Sequence, residues 1–136
     1  MSDTAHRNQR AVLLAITLSS FLTPFMGSSI NIALPAIGSD FRVDAVTLGW
    51  ISLSFLLTSA MFLVPFGRIA DIYGRHRIFI AGVWSFTISA LACTVSPSVY
   101  VLLVVRLVQG AGSAMIFATA LPILVSSFPH EQRGRV

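Results

Sequence analysis

The chain has 136 residues, of which 55% are hydrophobic and 10% are charged, and its formal net charge is +4. This composition, with a mean hydropathy of +0.83, excludes an ordinary water-soluble domain, because such a chain could not bury so much apolar surface. All nine basic residues are arginines, and they are spread along the chain, so the positive charge does not indicate a nucleic-acid-binding face.

Four apolar segments follow one another, and each is long enough to cross a hydrocarbon core of about 30 Å, which needs about 20 residues of helix. We expect an all-α membrane protein, because no segment alternates polar and apolar residues as the strands of a membrane barrel do. The predicted elements are a tail of residues 1–10, spans over about residues 11–34, 45–66, 78–96 and 99–128, and a segment of residues 129–136.

The arginines are distributed unevenly around these spans. Seven of them lie before the first span, between the second and third spans, or after the fourth: Arg7, Arg10, Arg68, Arg75, Arg77, Arg133 and Arg135. The other two connections carry only Arg42, beside two aspartates, or no charge. Since short cytoplasmic loops are enriched in basic residues, we expect a multi-pass protein of the cell membrane with a cytoplasmic amino terminus.

The first span carries small and polar residues at positions 20, 23, 27 and 31, which share one helix face. This stripe, which ends at Asn31, either packs against other helices or lines a cavity, and the sequence leaves both interpretations open. A cleaved signal peptide is disfavoured, because the apolar stretch exceeds the about 7–15 residues of a signal core.

The connection between the second and third spans is charged and bracketed by glycines, and it reads G-R-I-A-D-I-Y-G-R-H-R over residues 67–77. Gly67 and Gly74 permit a sharp reversal, and Asp71 can accept hydrogen bonds from N–H groups at a helix start. This sequence resembles the loop between the second and third helices of the major facilitator superfamily, G-x-L-A-D-R-x-G-R-[KR]. Ile72 stands where that pattern often has a basic residue.

The resemblance implies a conformational gate at this loop. In the family, such a cluster holds the outward-facing state by bridging helices and breaks as the inward-facing state forms. The corresponding residues here are Gly67, Asp71, Gly74, Arg75 and Arg77. The alternative is an arginine cluster that only sets topology, joined to a structural turn.

The outer half of the first span resembles the motif L-D-x-T-[IV]-V-N-V-A-L-P of drug:proton antiporters with fourteen spans. Asn31 and residues 33–35 match this motif. Met26 replaces its aspartate and Ser28 its threonine. A carboxylate that could carry a proton is therefore missing at this position.

The fourth span contains the sequence L-x-x-x-R-x-x-Q-G-x-G-x-A over residues 102–114, which resembles a second pattern of the same superfamily. Its arginine, Arg106, lies about 10 Å from the start of the span, and a charge at that depth is expected to face protein or water rather than lipid. Snorkelling to the headgroups is the alternative. Asp44, a helix carbonyl, Asn31 or a helix outside this chain are the candidate partners for its charge.

The resemblance implies a role in proton coupling for Arg106, and the predicted coupling or cavity residues are Arg106, Gln109, Gly110, Gly112 and Asn31. The small residues of the fourth span recur at Gly110, Ala114 and Ala118, which favours close helix packing.

Together the motifs imply part of a major-facilitator amino-terminal six-helix bundle, from a secondary transporter that exports small or amphiphilic compounds in exchange for protons. The expected partners are a small-molecule substrate, protons, the lipid bilayer and the remaining helices of a full-length transporter, to whose fifth span residues 129–136 would lead. We expect no nucleic acid, cofactor, metal site or catalytic residue, because the sequence has no arrangement typical of enzymes. The sequence leaves open the substrate, the direction of transport, the coupling ion, and whether the full protein has twelve or fourteen spans.

Two alternatives belong to other classes. The first is a self-contained four-helix membrane scaffold or partner-binding subunit, which would associate through the small residues of its fourth span. The second is a four-span multidrug exporter that acts as a dimer, and the lack of an acidic residue in the first span weakens it.

Overall fold

Four α-helices make up the described part of the chain, which in this computed structural model comprises residues 2–127 and the side chains of residues 11–126. They are α1 (Ser2–Phe41), α2 (Ala45–Tyr73), α3 (Arg75–Thr94) and α4 (Val99–Ser127), and these residues include no strand. Each helix contains a segment long and apolar enough to cross a membrane. The all-α membrane fold predicted from the sequence is therefore confirmed. The segment predicted at residues 129–136 lies outside the described residues.

The first helix is much longer than its predicted span. It begins at Ser2, includes most of the predicted tail, and continues through Pro35 to Phe41. Arg42 follows with φ +51, which ends the helical backbone. At 1.5 Å per residue, the 40 residues of α1 extend about 60 Å, so the helix projects beyond a hydrocarbon core of about 30 Å.

The junction between α2 and α3 is a single residue, so the loop predicted over residues 67–77 is helical except at Gly74. Gly74 has φ +101, a conformation that residues with a side chain rarely adopt, and its N–H donates to the carbonyl of Ala70 at 3.0 Å. Gly67 lies inside α2 and takes no part in the turn. The reversal therefore depends on one glycine rather than two.

α4 is the central helix of the bundle. Of its most apolar segment, 44% is buried, against 11% for α1, 22% for α2 and 17% for α3. α2 and α3 pack along α4, whereas α1 makes less extensive contacts with α4 and α2. Three apolar clusters join the helices: Ile51 with Val99 and Leu102, Phe55 and Phe86 with Ile116, and Ile16 with Ala120 and Ile123.

Two glycines of α4 allow its neighbours to approach closely. A Cβ atom at Gly110 would lie 2.5 Å from the carbonyl oxygen of Phe55 on α2. A Cβ atom at Gly112 would lie 2.9 Å from the backbone nitrogen of Phe86 on α3. Helices in lipid associate through packing of this kind, since lipid tails are as apolar as the side chains they replace. The small residues of α4 therefore serve helix contacts on two different faces.

Asp44 caps the first turn of α2. Its backbone is extended, and its Oδ1 accepts hydrogen bonds from the hydroxyl and from the N–H of Thr47, the latter at 3.2 Å. These bonds, that of the hydroxyl first, hold the pKa of Asp44 below its ordinary value. The ionised carboxylate is thus favoured by the folded state.

We expect Asp44→Ala to destabilise the start of α2 at neutral pH and to reduce the pH dependence of stability. Because the folded-state pKa lies below the unfolded one, the stabilisation is present above the unfolded pKa and is lost as the pH falls through the folded pKa, below about pH 4. Thermal unfolding in detergent at about pH 7 and about pH 3 measures both effects. Asp44→Asn is the control, since it keeps an acceptor that does not titrate. An unaltered pH dependence in Asp44→Asn would contradict the prediction.

Candidate functional site

Arg106 places a charge inside the bundle, with 2% of its surface exposed. Its Nη1 donates a hydrogen bond to Oε1 of Gln109 at 2.6 Å, and its Nε donates to the carbonyl oxygen of Ile51 on α2 at 3.4 Å. The Cζ atom lies 4.6 Å from the centre of the Phe55 ring. The guanidinium therefore faces protein in the described residues and does not extend to the helix end.

Neutral groups surround this charge. Gln109, also 2% exposed, offers an amide oxygen, α2 offers a backbone carbonyl, and the aromatic ring offers its negative face. Asp44, a candidate partner by topology, instead accepts its hydrogen bonds from Thr47. Of the candidate partners that lie within the described residues, the helix carbonyl is the one that contacts Arg106.

The close approach at Gly110 brings α2 to this site. The Phe55 carbonyl occupies the space that a side chain at Gly110 would need. α2 therefore lies near enough for the Ile51 carbonyl and the Phe55 ring to contact Arg106. Gly110 acts on the site through helix packing, and Gly112 faces α3.

A cavity of about 300 Å³ lies between α1, α3 and α4, near the α1–α2 and α3–α4 connections. Arg106 and Gln109 are part of its wall. A second cavity, of about 400 Å³ and mostly apolar, lies deeper between the same helices. Met26 and Ala90 line both, so the two cavities adjoin each other along a crevice between α1 and α3. Arg106 thus lies at the wall of this crevice.

Asn31 is separate from this crevice, and it joins α1 to α2 by accepting a hydrogen bond from the Ser52 hydroxyl at 2.7 Å. On the same stripe of α1, Thr23 is 2% exposed, and a Cβ atom at Gly27 would lie 3.8 Å from the Phe55 ring. The contacts of Asn31 and Gly27 favour helix packing at those two positions, whereas Thr23 also lines the deeper cavity.

The residues of the predicted gate lie at the opposite end of the bundle. Oδ1 of Asp71 accepts a hydrogen bond from Nε of Arg75 at 3.0 Å and lies 2.9 Å from its Nη2. Asp71 therefore joins α2 to α3 across Gly74 and does not cap α3, contrary to expectation. Gly67 lies against α4, and Arg77 is exposed and forms no ion pair with a described residue.

The α2 residues at the site could not be identified from the sequence. Ile51 is 55 residues from Arg106 and contributes a backbone carbonyl, which no sequence pattern marks. Phe55 is one of ten phenylalanines in an apolar chain. Cys93 lines the cavity and is partly exposed. The position of Cys93 in the sequence, near the end of an apolar span, does not indicate that it lines a cavity.

Comparison with known proteins identifies the family. Residues 16–136 match the family model of the Major Facilitator Superfamily. Multidrug resistance protein Stp of Mycobacterium tuberculosis (strain CDC 1551 / Oshkosh) is 36% identical over 124 residues, which cover 91% of this chain and 23% of that protein. Riboflavin transporter RibZ of Clostridioides difficile (strain 630) is 30% identical over 124 residues, which cover 91% and 27%. Cephamycin export protein CmcT of Amycolatopsis lactamdurans is 36% identical over 123 residues, which cover 90% and 25%.

The chain spans about a quarter of the length of the curated relatives it matches. These relatives are named as a resistance protein, a transporter and an export protein, and none of these names denotes an enzyme. The family match covers most of the chain and agrees with the four apolar helices of the fold. The chain therefore belongs to the major facilitator superfamily.

Proposed function

We propose that the chain is the amino-terminal part of a proton-coupled secondary transporter that exports small or amphiphilic compounds across the cell membrane by alternating access. The observation that carries the proposal is the buried Arg106 at the wall of a cavity within a membrane bundle of this family. A charge inside a membrane is costly and is expected where a substrate or an ion passes. The names of a multidrug resistance protein and a cephamycin export protein among the relatives support export.

The scaffold alternative is weakened by the packing of α4. It relied on a small-residue face available to a partner, but the space at Gly110 is occupied by α2 and the space at Gly112 by α3. These close contacts are made within the chain itself. The face that would bind a partner is therefore already covered.

The arginine distribution supports an orientation with the amino terminus in the cytoplasm. Arg68, Arg75 and Arg77 lie near the α2–α3 junction, whereas Arg42 alone lies at the α1–α2 connection. Short cytoplasmic loops are the ones enriched in basic residues. In this orientation the Arg106 cavity lies toward the outer face and the α2–α3 junction lies at the cytoplasmic face.

The contact between Asp71 and Arg75 supports a gate at that junction. Their side chains are 61% and 45% exposed, so the pair can break without uncovering a buried charge. Alternating access needs contacts of this kind, which hold one state and separate in the other. Arg77 is available for a contact with another part of the protein.

We expect Asp71→Asn to reduce transport severalfold and to leave stability nearly unchanged. An exposed ion pair contributes about 0.2–1 kcal/mol, so the free energy of unfolding should change by about 1 kcal/mol or less. Initial transport rates and thermal unfolding of the same purified protein measure the two effects. Asp40→Asn, which changes another exposed aspartate near a helix end, is the control. Parallel loss of folding and transport would assign Asp71 a structural role instead.

Dye export from living cells tests the proposed function. Cells that lack their own drug exporters would express the complete reading frame that contains this chain. The accumulation of ethidium, Nile red and 11-(dansylamino)undecanoate, a cation, a neutral dye and an anion, would then be measured. We expect lower accumulation of at least one dye, reversed by a protonophore. Equal accumulation of all three dyes would contradict export, and an effect insensitive to the protonophore would contradict proton coupling.

A further inference from the structure

The guanidinium of Arg106 has donors that the described residues do not use. An arginine side chain carries five N–H donors. One donor on Nε and one on Nη1 are used, by the carbonyl of Ile51 and by Gln109. Nη2 makes no hydrogen bond with a described residue. No buried side-chain nitrogen or oxygen atom among the described residues lacks a hydrogen-bond partner, so Nη2 keeps accessible surface although the side chain as a whole is 2% exposed.

The charge of Arg106 is also unpaired within the described residues. Among residues 11–126, whose side chains are described, the carboxylates belong to Asp40, Asp44 and Asp71, and all three lie at or near helix ends. Asp44 caps α2 and Asp71 pairs with Arg75, while Asp40 makes no ion pair among the described residues. A buried cation without a counter-ion favours an anion that can reach it.

The cavity beside Arg106 supplies the space for such an anion. Among its other polar wall residues, Ser29 and Thr94 donate their hydroxyl hydrogens to carbonyls of their own helices, at 2.9 and 2.7 Å. Ser96, in the α3–α4 connection, donates to the carbonyl of Ala92 on α3 at 2.9 Å. These hydroxyls are therefore occupied, and Arg106 is the one cationic side chain among the described residues of the cavity wall.

The deeper cavity supplies space for the apolar portion of a molecule whose anionic group lies beside Arg106. Its wall is formed mainly by aliphatic and aromatic side chains, and Met26 and Ala90 connect it to the Arg106 cavity. The hydroxyl of Thr23, which also lines it, donates to the carbonyl of Ser19 at 2.7 Å. A molecule with a charged end beside Arg106 and an apolar end in the deeper cavity is an amphiphile.

We propose that this crevice binds an anionic amphiphile, whose carboxylate, phosphate or sulfonate group accepts hydrogen bonds from the Arg106 guanidinium while its apolar part occupies the deeper cavity. The inference rests on the proposed transport function, because it names the substrate class of that site. A membrane lipid with an anionic headgroup has the same chemistry as a soluble anionic amphiphile. The experiment must therefore distinguish these two sources.

Equilibrium binding to the protein from the complete reading frame tests this inference. The probe is 11-(dansylamino)undecanoate, and its methyl ester is the matched neutral probe. In phosphatidylcholine nanodiscs we expect the wild-type protein to bind the carboxylate at least about tenfold more tightly than the ester, since an arginine–carboxylate hydrogen bond is charge-assisted. Arg106→Gln should remove this preference, Arg106→Lys should keep part of it, and Arg42→Gln, at the exposed α1–α2 connection, should leave it intact.

Nanodiscs that contain phosphatidylglycerol separate the two sources. Unchanged carboxylate binding in them supports a soluble anionic substrate, and loss of binding supports occupation by an anionic lipid. Equal affinity of the wild-type protein for acid and ester would overturn the inference, and that comparison does not depend on the folding of any variant. Persistence of the preference in Arg106→Gln would overturn it as well. Binding at equilibrium needs no proton gradient, so a protein that selects the acid without exporting any dye would refute the proposed function and leave the crevice as a binding site for anionic amphiphiles.

Discussion

Gly110→Ala is expected to lower the free energy of unfolding by about 1–3 kcal/mol, although alanine is the better helix former. The new Cβ atom would lie 2.5 Å from the carbonyl oxygen of Phe55 and 3.2 Å from the backbone nitrogen of Ser59. Both atoms belong to the backbone of α2, so no side-chain rotation relieves the overlap. α2 and α4 must separate, and packing is the main force that holds helices together in lipid.

Two glycines of α2 provide matched controls for this substitution. A Cβ atom at Gly67 would lie 4.0 Å from that of Ala118, and one at Gly49 would meet no atom within 4 Å. Gly67→Ala and Gly49→Ala should be neutral, or more stable by up to about 1 kcal/mol through helix propensity. Thermal or denaturant unfolding of the three variants in one detergent gives the comparison. Equal stability of Gly110→Ala and Gly67→Ala would contradict the close approach of α2 to α4.

The same substitution should also disturb the site around Arg106. Ile51 and Phe55 contact the guanidinium only because α2 lies against Gly110. If α2 moves away, Arg106 loses a carbonyl and an aromatic face, while its bond to Gln109 remains within α4. We therefore expect Gly110→Ala to weaken ligand binding in addition to stability, whereas Gly67→Ala should weaken neither.

Properties that are local along the chain could be predicted from the sequence. The number of helices follows from apolar length compared with membrane thickness, and the burial of Arg106 follows from the cost of a charge in lipid. The loop at residues 67–77 was predicted too long, because charged residues tolerate an exposed helix end as well as a loop. Only Gly74 has the backbone conformation that breaks the helix. The pattern of glycines and charges in residues 67–77 does not distinguish a long loop from two helices that meet at one glycine.

Contacts between helices could not be predicted in the same way. The partners of Arg106 on α2 depend on how closely two helices cross, and this follows from the side of α4 on which Gly110 lies. The residues of the α1 stripe share one helix face, as their spacing predicts. The spacing alone could not show that Asn31 contacts a helix rather than a cavity, because this depends on the position of Ser52 on α2. Periodicity gives the direction of a side chain within its helix, and packing decides what lies opposite.

The loss of Gln109 alone is expected to cost more stability than the simultaneous loss of Gln109 and Arg106. In Gln109→Leu, a buried guanidinium loses the acceptor that lies 2.6 Å from its Nη1, which should cost about 1.5–3 kcal/mol for a bond to a charged group. In Arg106→Met, the buried amide oxygen loses its donor, which should cost about 1–3 kcal/mol. When both are replaced by apolar side chains of similar volume, no buried polar group is left without its partner, and the change should be small.

A double-mutant cycle measures this asymmetry. The free energies of unfolding of the wild-type protein, Gln109→Leu, Arg106→Met and the double variant would be determined in one detergent, since residues in direct contact should not behave additively. We expect the double variant to be more stable than Gln109→Leu, while its binding of an anionic probe is lost, because the guanidinium is the proposed binding group. Additive losses in the cycle would mean that the hydrogen bond between Arg106 and Gln109 contributes little. The cost of the buried charge would then have to be offset by α2 alone, through the Ile51 carbonyl and the Phe55 ring.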